Sequence, residues 1–472
     1  MPSPLDNLDG LLTPYNPWWT PASRWTAALP KYRRHVVRHI LSDLADLPQA
    51  VSVSGPRRVG KSTALKHVIE HLIATDGIDP RRILYFSFDD PAVFSSADAQ
   101  ERIFDVLVEK FRDAGQRTYF FLDEIQRLPR WELFVKKHYD LGTPVRFIVS
   151  GSASSPIFRS SHETLLGRIK DRHLLPFTFR EYCEYRLRER PAFAEGIAAS
   201  GGLRAALADG DAALALRVAR RLADVTTAFA GEIEAALNDF CCEGGFPEVW
   251  PLRDPARKVE YLMEQQVRKV LFEDLFRLTA YRKPENVLRF FVFMLAHPGI
   301  EVNLSKVSSE VGVERHILAE NLPRLEMTDL LMRVPKFCSP PLRARQRNFK
   351  CYPTDPALRN AVLKAWAAPD PPAMGLVAEG LVARTLSEWP ERVELSYFRD
   401  RDVEVDFVLS SGNGRPLPFE VKYRDRPVLP AGLRAFVDAN PSPLGVVLTR
   451  AEPPRYDGFL FLPLPLFLLG AT

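Results

Sequence analysis

Residues 51–63 read Val-Ser-Val-Ser-Gly-Pro-Arg-Arg-Val-Gly-Lys-Ser-Thr and fit the spacing G-x-x-x-x-G-K-[ST] at Gly55, Gly60, Lys61 and Ser62. An apolar alternating run (Ala50, Val51, Val53) enters this stretch as a strand, and ALKHVIEHLI leaves it as a helix. In that context the loop's backbone N–H groups curl around phosphate oxygens at the positive end of the helix. The expected cradle is Gly55, Pro56, Arg57, Arg58, Val59, Gly60, Lys61, Ser62 and Thr63. Lys61 is placed to reach the β- and γ-phosphates and Ser62 to hold Mg²⁺, so the expected ligand is ATP with Mg²⁺.

A second signature agrees. Tyr119-Phe-Phe-Leu-Asp-Glu124 is an apolar strand ending in two carboxylates. Asp123 is expected to bind Mg²⁺, largely through water, and Glu124 to orient and deprotonate an attacking water. From residue 50 to 177, strands alternate with helices: Ala50–Ser54, Ile83–Phe88, Thr118–Leu122, Val145–Val149 and His173–Leu175. Continuous apolar strands separated by helices predict a parallel sheet covered on both faces, the α/β class. The strand at 83–88, between the two motifs in sequence, suggests the class with another strand inserted between the P-loop strand and the Asp strand. Ser150, and after it Ser152, ends a strand where a γ-phosphate sensor would sit; a plain turn is the competing reading. Arg168 is a candidate for stabilising transition-state charge, in cis or across a subunit interface, against an exposed arginine in a surface ion pair.

Composition adds limits. A chain of 472 residues suggests about three domains. A net charge of +4 leaves nucleic-acid affinity to local patches. Five cysteines without metal-ligand spacing fit free thiols in a reducing cytoplasm. No apolar run is long enough for a membrane span, and GFLFLPLPLFLLG reads as core. Residues 1–30 carry Trp and Pro without a period and predict an extended arm lying on the body. The helix that follows, KYRRHVVRHILSDL, shows a basic face expected to be solvated.

GPRRVGKST, FFLDEIQRLPRWE, VSGSAS, LLGR, LPFTFREY and GGFPEV, in that order, resemble a prokaryotic group of AAA-type ATPases fused to a C-terminal domain of unknown function. The similarity continues through VLFEDL, EGLV, YFR, EVDF and FEVK, covering most of the chain from residue 31 onward. The resemblance implies ATP binding and hydrolysis, a winged-helix middle segment and a nuclease-like tail. It divides the chain into an arm (1–30), an ATPase domain (31–177), a helical lid (178–250), a helical and winged-helix domain (251–366) and a PD-(D/E)XK-like domain (374–472). The Ala-rich stretch 190–240 departs from the pattern and reads as an enlarged helical lid. If the chain follows the AAA arrangement, its active form is a homo-oligomer, a dimer or a ring, with Arg168 serving a neighbour's ATP.

In the middle segment, Asn303 to Leu318 reads helix, glycine turn, helix. From Arg333 to Tyr352 there are six basic residues and no acid. Arg343, Arg345, Arg347 and Lys350 are therefore expected DNA contacts of a basic wing. Glu314, Glu320 and Glu326 on the second helix oppose phosphate and Pro323 kinks it, so a protein–protein joint stands beside the DNA reading.

In the tail, period-two alternation places Glu404 and Asp406 on one face of a strand, with the valines and Phe407 on the other. The same rule pairs Glu420 with Lys422, and a hairpin brings Asp406, Glu420 and Lys422 together. Asp406 and Glu420 would hold Mg²⁺ or Mn²⁺, Lys422 would position water, and Glu379 on the preceding helix could complete the site. Active nuclease, inactive relic and ordinary hairpin all stand open. The expected function is ATP hydrolysis coupled to DNA remodelling, branch movement or cleavage. The alternative is a nucleotide-controlled switch that binds a protein partner and cuts nothing.

Overall fold

The computed structural model of the chain describes residues 8–21, 23–91, 103–109, 116–152, 164–275, 284–337, 348–366, 370–389, 393–411, 415–425 and 427–472. Its internal contacts divide it into two units, the first ending at Leu175 and the second beginning at Pro176.

The first unit is built on five parallel strands: β1 (Ala50–Gly55), β2 (Ile83–Ser87), β3 (Thr118–Asp123), β4 (Val145–Ser152) and β5 (Ile169–His173), ordered β2-β3-β4-β1-β5. Strands β1, β3 and β4 are buried along their whole length, which is why they read as continuous apolar runs. A strand does separate the P-loop strand from the Asp123 strand. It is β4, whereas β2, which lies between the two motifs in sequence, takes the sheet's edge.

Two expectations need correction here. The last strand spans Ile169–His173 rather than 173–175, because the ladder pairs Ala50 with Ile169 through Ser54 with His173. This edge strand is half exposed and polar, so it lacks the apolar signal of its neighbours. Beyond it, Leu174 N–H donates to Ser54 O at 2.7 Å, and a Cβ on Gly55 would stand 2.0 Å from Leu174 O. The first glycine of the motif thus leaves room for the neighbouring chain.

The arm is also not extended. It forms a short helix (Leu8–Leu12) and the 3₁₀ turns Thr13–Tyr15, Pro17–Trp19 and Trp25–Ala28, two of them carrying proline in the first turn. Buried Asn16 pairs with the free edge of β2: its Oδ1 accepts from Tyr85 N–H at 2.7 Å and its Nδ2 donates to Tyr85 O at 2.9 Å. Trp18 and Trp19 both donate Nε1–H to Ile83 O, at 3.1 and 3.0 Å. The basic helix is His35–Asp46, and its face is only partly solvated. Arg34, at its N-cap, is buried and donates to Val59 O and Leu175 O at 3.0 and 2.9 Å.

The second unit begins with helices. Thr178 and Glu181 form a reciprocal capping box at the start of Phe179–Arg186. Helices Pro191–Ser200, Leu203–Ala208, Ala212–Thr227 and Ala230–Glu243 account for the Ala-rich stretch. Their apolar side chains (Phe193, Ile197, Leu222, Leu237) share one core with Trp389, Phe419 and Phe467 of the tail. The segment read as a lid therefore packs within the second unit.

Gly244 and Gly245 follow at a close passage. Gly244 has φ +64, and a Cβ there would stand 1.8 Å from Asp355 Oδ1. Gly245 N–H donates to Asp355 Oδ2 at 2.6 Å, and Asp355 also caps the helix Pro356–Leu363 through Ala357 N–H at 2.9 Å.

The middle segment runs helix Pro284–Ala296, β6 (Glu301–Val302), helix Leu304–Val311, helix Arg315–Glu326, β7 (Leu331–Pro335) and β8 (Phe349–Pro353). The three strands form an antiparallel sheet ordered β6-β8-β7. Asn303 caps its helix and Gly312 closes it at φ +66. Glu314 precedes the second helix as its N-cap, while Pro323 lies inside it.

The tail runs helix Pro371–Ser387, β9 (Val393–Asp400), β10 (Val403–Ser411), β11 (Pro416–Lys422), helix Ala431–Ala439, β12 (Val446–Thr449), β13 (Arg455–Tyr456), β14 (Leu460–Pro463) and helix Leu464–Gly470. Its sheet is ordered β13-β14-β12-β11-β10-β9, with β9, β10 and β11 antiparallel and β11, β12 and β14 parallel. The register of β10 against β9 shifts between Val405 and Val408. Val405 and Val408 therefore pack with Leu433 and Phe436, while Phe407 and Leu409 enter the other core. This bulge breaks the strict alternation expected from the sequence, which had Val405 and Phe407 on one face.

Candidate functional site

The loop after β1 bends back on itself. Arg58 and Gly60 have φ of +63 and +97, which turns successive backbone N–H groups into one concavity. Lys61, 6% exposed, opens the helix Lys61–Ala74 and folds its ammonium onto the loop, donating to Gly55 O at 3.0 Å and Pro56 O at 2.7 Å. Buried Val59 is held from behind by Arg34. Arg57 and Thr63 are half-buried and Arg58 is exposed.

Across the loop, buried Asp123 ends β3 and collects donors. Ser62 Oγ donates to Oδ2 at 2.5 Å, Tyr85 OH donates to Oδ2 at 2.7 Å, Ser150 Oγ donates to Oδ1, and Glu124 N–H donates to Oδ1 at 3.0 Å. The hydroxyl and carboxylate that would share Mg²⁺ are thus already in contact, and among the described residues every side-chain donor to Asp123 is an uncharged hydroxyl. A divalent cation needs such hard oxygen ligands, and the residues fit it.

Glu124 sits at φ +50, and Gln126 Nε2 donates to its Oε2 at 2.5 Å. Burial raises its pKa above the ordinary carboxylate value, with Lys61 opposing the rise. Such a rise suits a base acting near neutral pH.

Ser150 is wholly buried on Asp123, and Ser152 is also buried. Arg168 lies on the surface of the first unit and grips Asp140 through Nε at 2.7 Å and Nη2 at 3.3 Å. Tyr85, Arg34 and Gln126 were not evident from the sequence. Tyr85 occupies the edge strand, and only the sheet order brings it beside β3.

Residues 48–183 match the AAA domain family. The chain carries an AAA-type P-loop ATPase domain. Behind it, residues 234–368 match one domain of unknown function (DUF8612) and residues 374–467 another (DUF4143).

Among curated proteins, the chain is 31% identical over 142 residues to the uncharacterized protein MJ1637 of Methanocaldococcus jannaschii, covering 29% of this chain and 28% of that protein. It is 22% identical over 292 residues to an uncharacterized protein of Haemophilus influenzae, covering 60% and 62%. The chain thus spans less than two thirds of either relative.

Among solved structures, DnaA of Aquifex aeolicus bound to AMPPCP aligns at 14% identity and a TM-score of 0.24, covering 62% of this chain and 86% of that one. Hsp104 in its closed state aligns at 17% and 0.29, covering 64% and 51%.

The second unit holds the other group of expected residues. Asp406 and Glu420 are 7% and 5% exposed. Asp406 Oδ2 accepts from Val421 N–H at 2.9 Å, and Glu420 Oε2 accepts from Asp406 N–H at 3.3 Å. Lys422 Nζ lies 2.6 Å from Glu420 Oε1. Glu379 Oε2 accepts from Tyr352 OH at 3.3 Å.

Burial, and then the charge of Asp406, pushes Glu379 up to about 8 and Glu420 up to about 7. Asp406 is raised as well, chiefly by burial. Among the described residues no three His, Cys, Asp or Glu side chains converge as metal ligands. Asp406 and Glu420, expected to hold a divalent ion, are met here by backbone N–H groups and by Lys422.

Of the expected DNA contacts, Arg343, Arg345 and Arg347 lie outside the described residues. Lys350 is buried on β8 with its ammonium 2.9 Å from Glu404 Oε1, so it faces the tail's acids and not a solvent-exposed wing. Sequence position alone grouped it with the arginines. Among the described residues no helix is long and apolar enough to cross a membrane.

Proposed function

We propose that the chain is a Mg²⁺-dependent ATP hydrolase whose turnover is coupled to work on DNA. The observation that carries the hydrolase is the meeting of Ser62 and Asp123 at 2.5 Å beside the half-buried carboxyl of Glu124.

Lys61 exchanges the carbonyls of Gly55 and Pro56 for the β- and γ-phosphate oxygens, and the loop N–H groups close around them. Ser62 and Asp123 would hold Mg²⁺, which would supply positive charge to those oxygens. Tyr85 and Ser150 keep the Asp123 carboxylate in place. Glu124 accepts the proton of the attacking water as the water adds to the γ-phosphorus. Ser150 acts in this reading through Asp123. Arg168, released from Asp140, reaches a neighbouring subunit's phosphates in a homo-oligomer.

The DNA part is supported by the order helix–strand–helix–helix–strand–strand in the middle segment, the order of a winged helix. The tail's order of helix, three antiparallel strands, helix and strand, with Asp406, Glu420 and Lys422 together, supports a PD-(D/E)XK-like reading. Buried free thiols (Cys183, Cys241, Cys351) suit a reducing cytoplasm.

A second reading, a nucleotide-controlled switch that binds a protein partner and cuts nothing, is favoured by burial of Lys350 among the tail's acids. ATP turnover measured with and without single-stranded, duplex and branched DNA decides between them. Stimulation by DNA is expected. Turnover indifferent to every DNA, yet altered by a protein partner, replaces the first reading with the second.

A further inference from the structure

The tail's carboxylates are not closed by tail residues alone. Three positions of the middle segment stand over them. Lys350 of β8 is 4% exposed and ion-paired to Glu404, and its ammonium lies 5.4 Å from the centre of the Tyr397 ring. Tyr352, next but one on the same strand, donates to Glu379. A Cβ on Gly299 would stand 3.1 Å from Glu379 Oε2 and 3.3 Å from the Tyr352 ring, so the backbone itself presses on the site.

A buried ammonium is among the costlier groups to place in a core, and it persists only where acids surround it. Here those acids are Asp406, Glu379 and Glu404: burial lowers the ammonium's pKa and these three more than restore it.

We propose that Lys350 is the resident cation of the tail's carboxylate cluster, taking the charge-balancing place of a divalent ion and closing the cluster to Mg²⁺ and Mn²⁺ while β8 stays in place. The proposal rests on reading the tail as PD-(D/E)XK-like. A dication entering beside a fixed ammonium meets repulsion that low dielectric magnifies. It would also have to displace the Lys422 partner of Glu420. The charge is balanced inside the chain by two lysines, Lys350 from the middle segment and Lys422 from the tail itself. Removing Lys350 is what opens the site.

The test uses the nucleotide-free full chain, with Mn²⁺ as the probe, read by the loss of free-Mn²⁺ electron paramagnetic resonance signal and by the shift in Tm on adding the ion. The parent is expected to show no Mn²⁺ binding that Asp406→Asn removes, whatever the Ser62–Asp123 site takes up. Lys350→Met keeps the apolar stem and removes the charge; it should bind Mn²⁺ at least about tenfold more tightly than the parent. It should melt lower than the parent without metal and recover with it. Lys350→Met combined with Asp406→Asn should lose that binding, which locates it in the tail.

Parent protein that binds Mn²⁺ in an Asp406-dependent way overturns the proposal and leaves the nuclease-like reading standing. Absence of binding in both parent and variant overturns it too, and removes the metal-site reading with it. Should Lys350→Met fail to fold, amine footprinting of the parent decides. Reductive dimethylation should mark exposed Lys306 and spare Lys350, and rapid labelling of Lys350 refutes a buried, acid-held cation.

Discussion

The two acidic sites of this chain hold their carboxylates in opposite ways. At the end of β3, Asp123 is surrounded by hydroxyls from Ser62, Tyr85 and Ser150. In the tail, Glu404 and Glu420 are held by the ammonium groups of Lys350 and Lys422. Hydroxyl donors satisfy hydrogen bonds but leave the negative charge standing, so an incoming cation gains nearly the full attraction. Ammonium donors cancel the charge, and a cation must expel them first. The two motifs look alike as strings of acids and lysines. What separates them is the kind of donor around each carboxylate.

The sharpest way to break this contrast is at the first site. Lys61→Ala should lower ATP affinity at least about 10²-fold, since a desolvated cation on the phosphates is lost. Glu124→Gln should keep affinity while turnover falls about 10²-fold or more. Titration of a fluorescent ATP analogue and single-turnover hydrolysis separate these effects. A Gln variant that hydrolyses ATP at the parent rate removes Glu124 from its role.

Arg168 comes next. Arg168→Ala should cost about 10-fold or more in turnover if it serves a neighbour. Mixing it with Lys61→Ala subunits should restore part of the rate, because each variant supplies what the other lacks. A fully active monomer in solution contradicts this.

Tyr85→Phe should have a smaller effect, raising the Mg²⁺ concentration needed for half-maximal turnover about threefold while leaving the fold intact. An unchanged Mg²⁺ dependence makes the Tyr85–Asp123 bond structural only.

The smallest effect is in pH. Burial raises Asp355 to about 7, against the help of the N–H groups of Gly245 and Ala357. A raised carboxyl stabilises the folded state fully below its unfolded value of 3.8, and that contribution is lost as pH climbs through about 7. Tm should therefore fall between pH 5 and pH 8 by roughly a few degrees more in the parent than in Asp355→Asn. Parallel Tm profiles would place Asp355's titration elsewhere.

How much could be read from the sequence follows from how local each feature is. The phosphate loop needed nothing beyond neighbours in sequence: glycine, lysine and serine at fixed spacing between a strand and a helix. Asp123 and Glu124 were legible because four apolar residues end in two acids. Tyr85 was not, because its proximity to Asp123 depends on β2 lying beside β3.

In the tail, the hairpin spacing gathered Asp406, Glu420 and Lys422, but the consecutive apolar run Phe407-Val408-Leu409 does not say which of its residues turns to which face, and the bulge after Val405 decides it. Lys350 departs furthest from its expected place. Six basic residues in a row of loop and strand suggested one exposed patch, yet strand pleat sent this one inward toward acids that lie far along the chain. The Ala-rich helices were read correctly as helical. Composition does not encode a packing partner, however, and their apolar faces turned out to belong to the core of the second unit.

The arm on β2 has a consequence for handling the protein. An open sheet edge is a template on which other chains can pair, and aggregation begins there. Asn16 imitates a paired strand at Tyr85, and the two indoles of Trp18 and Trp19 occupy the carbonyl of Ile83. A chain trimmed to start at residue 31 would keep every nucleotide-site residue and yet uncover that ladder together with two large aromatic footprints. Its failure would be in solubility, as precipitation during expression, well before any measurement of catalysis.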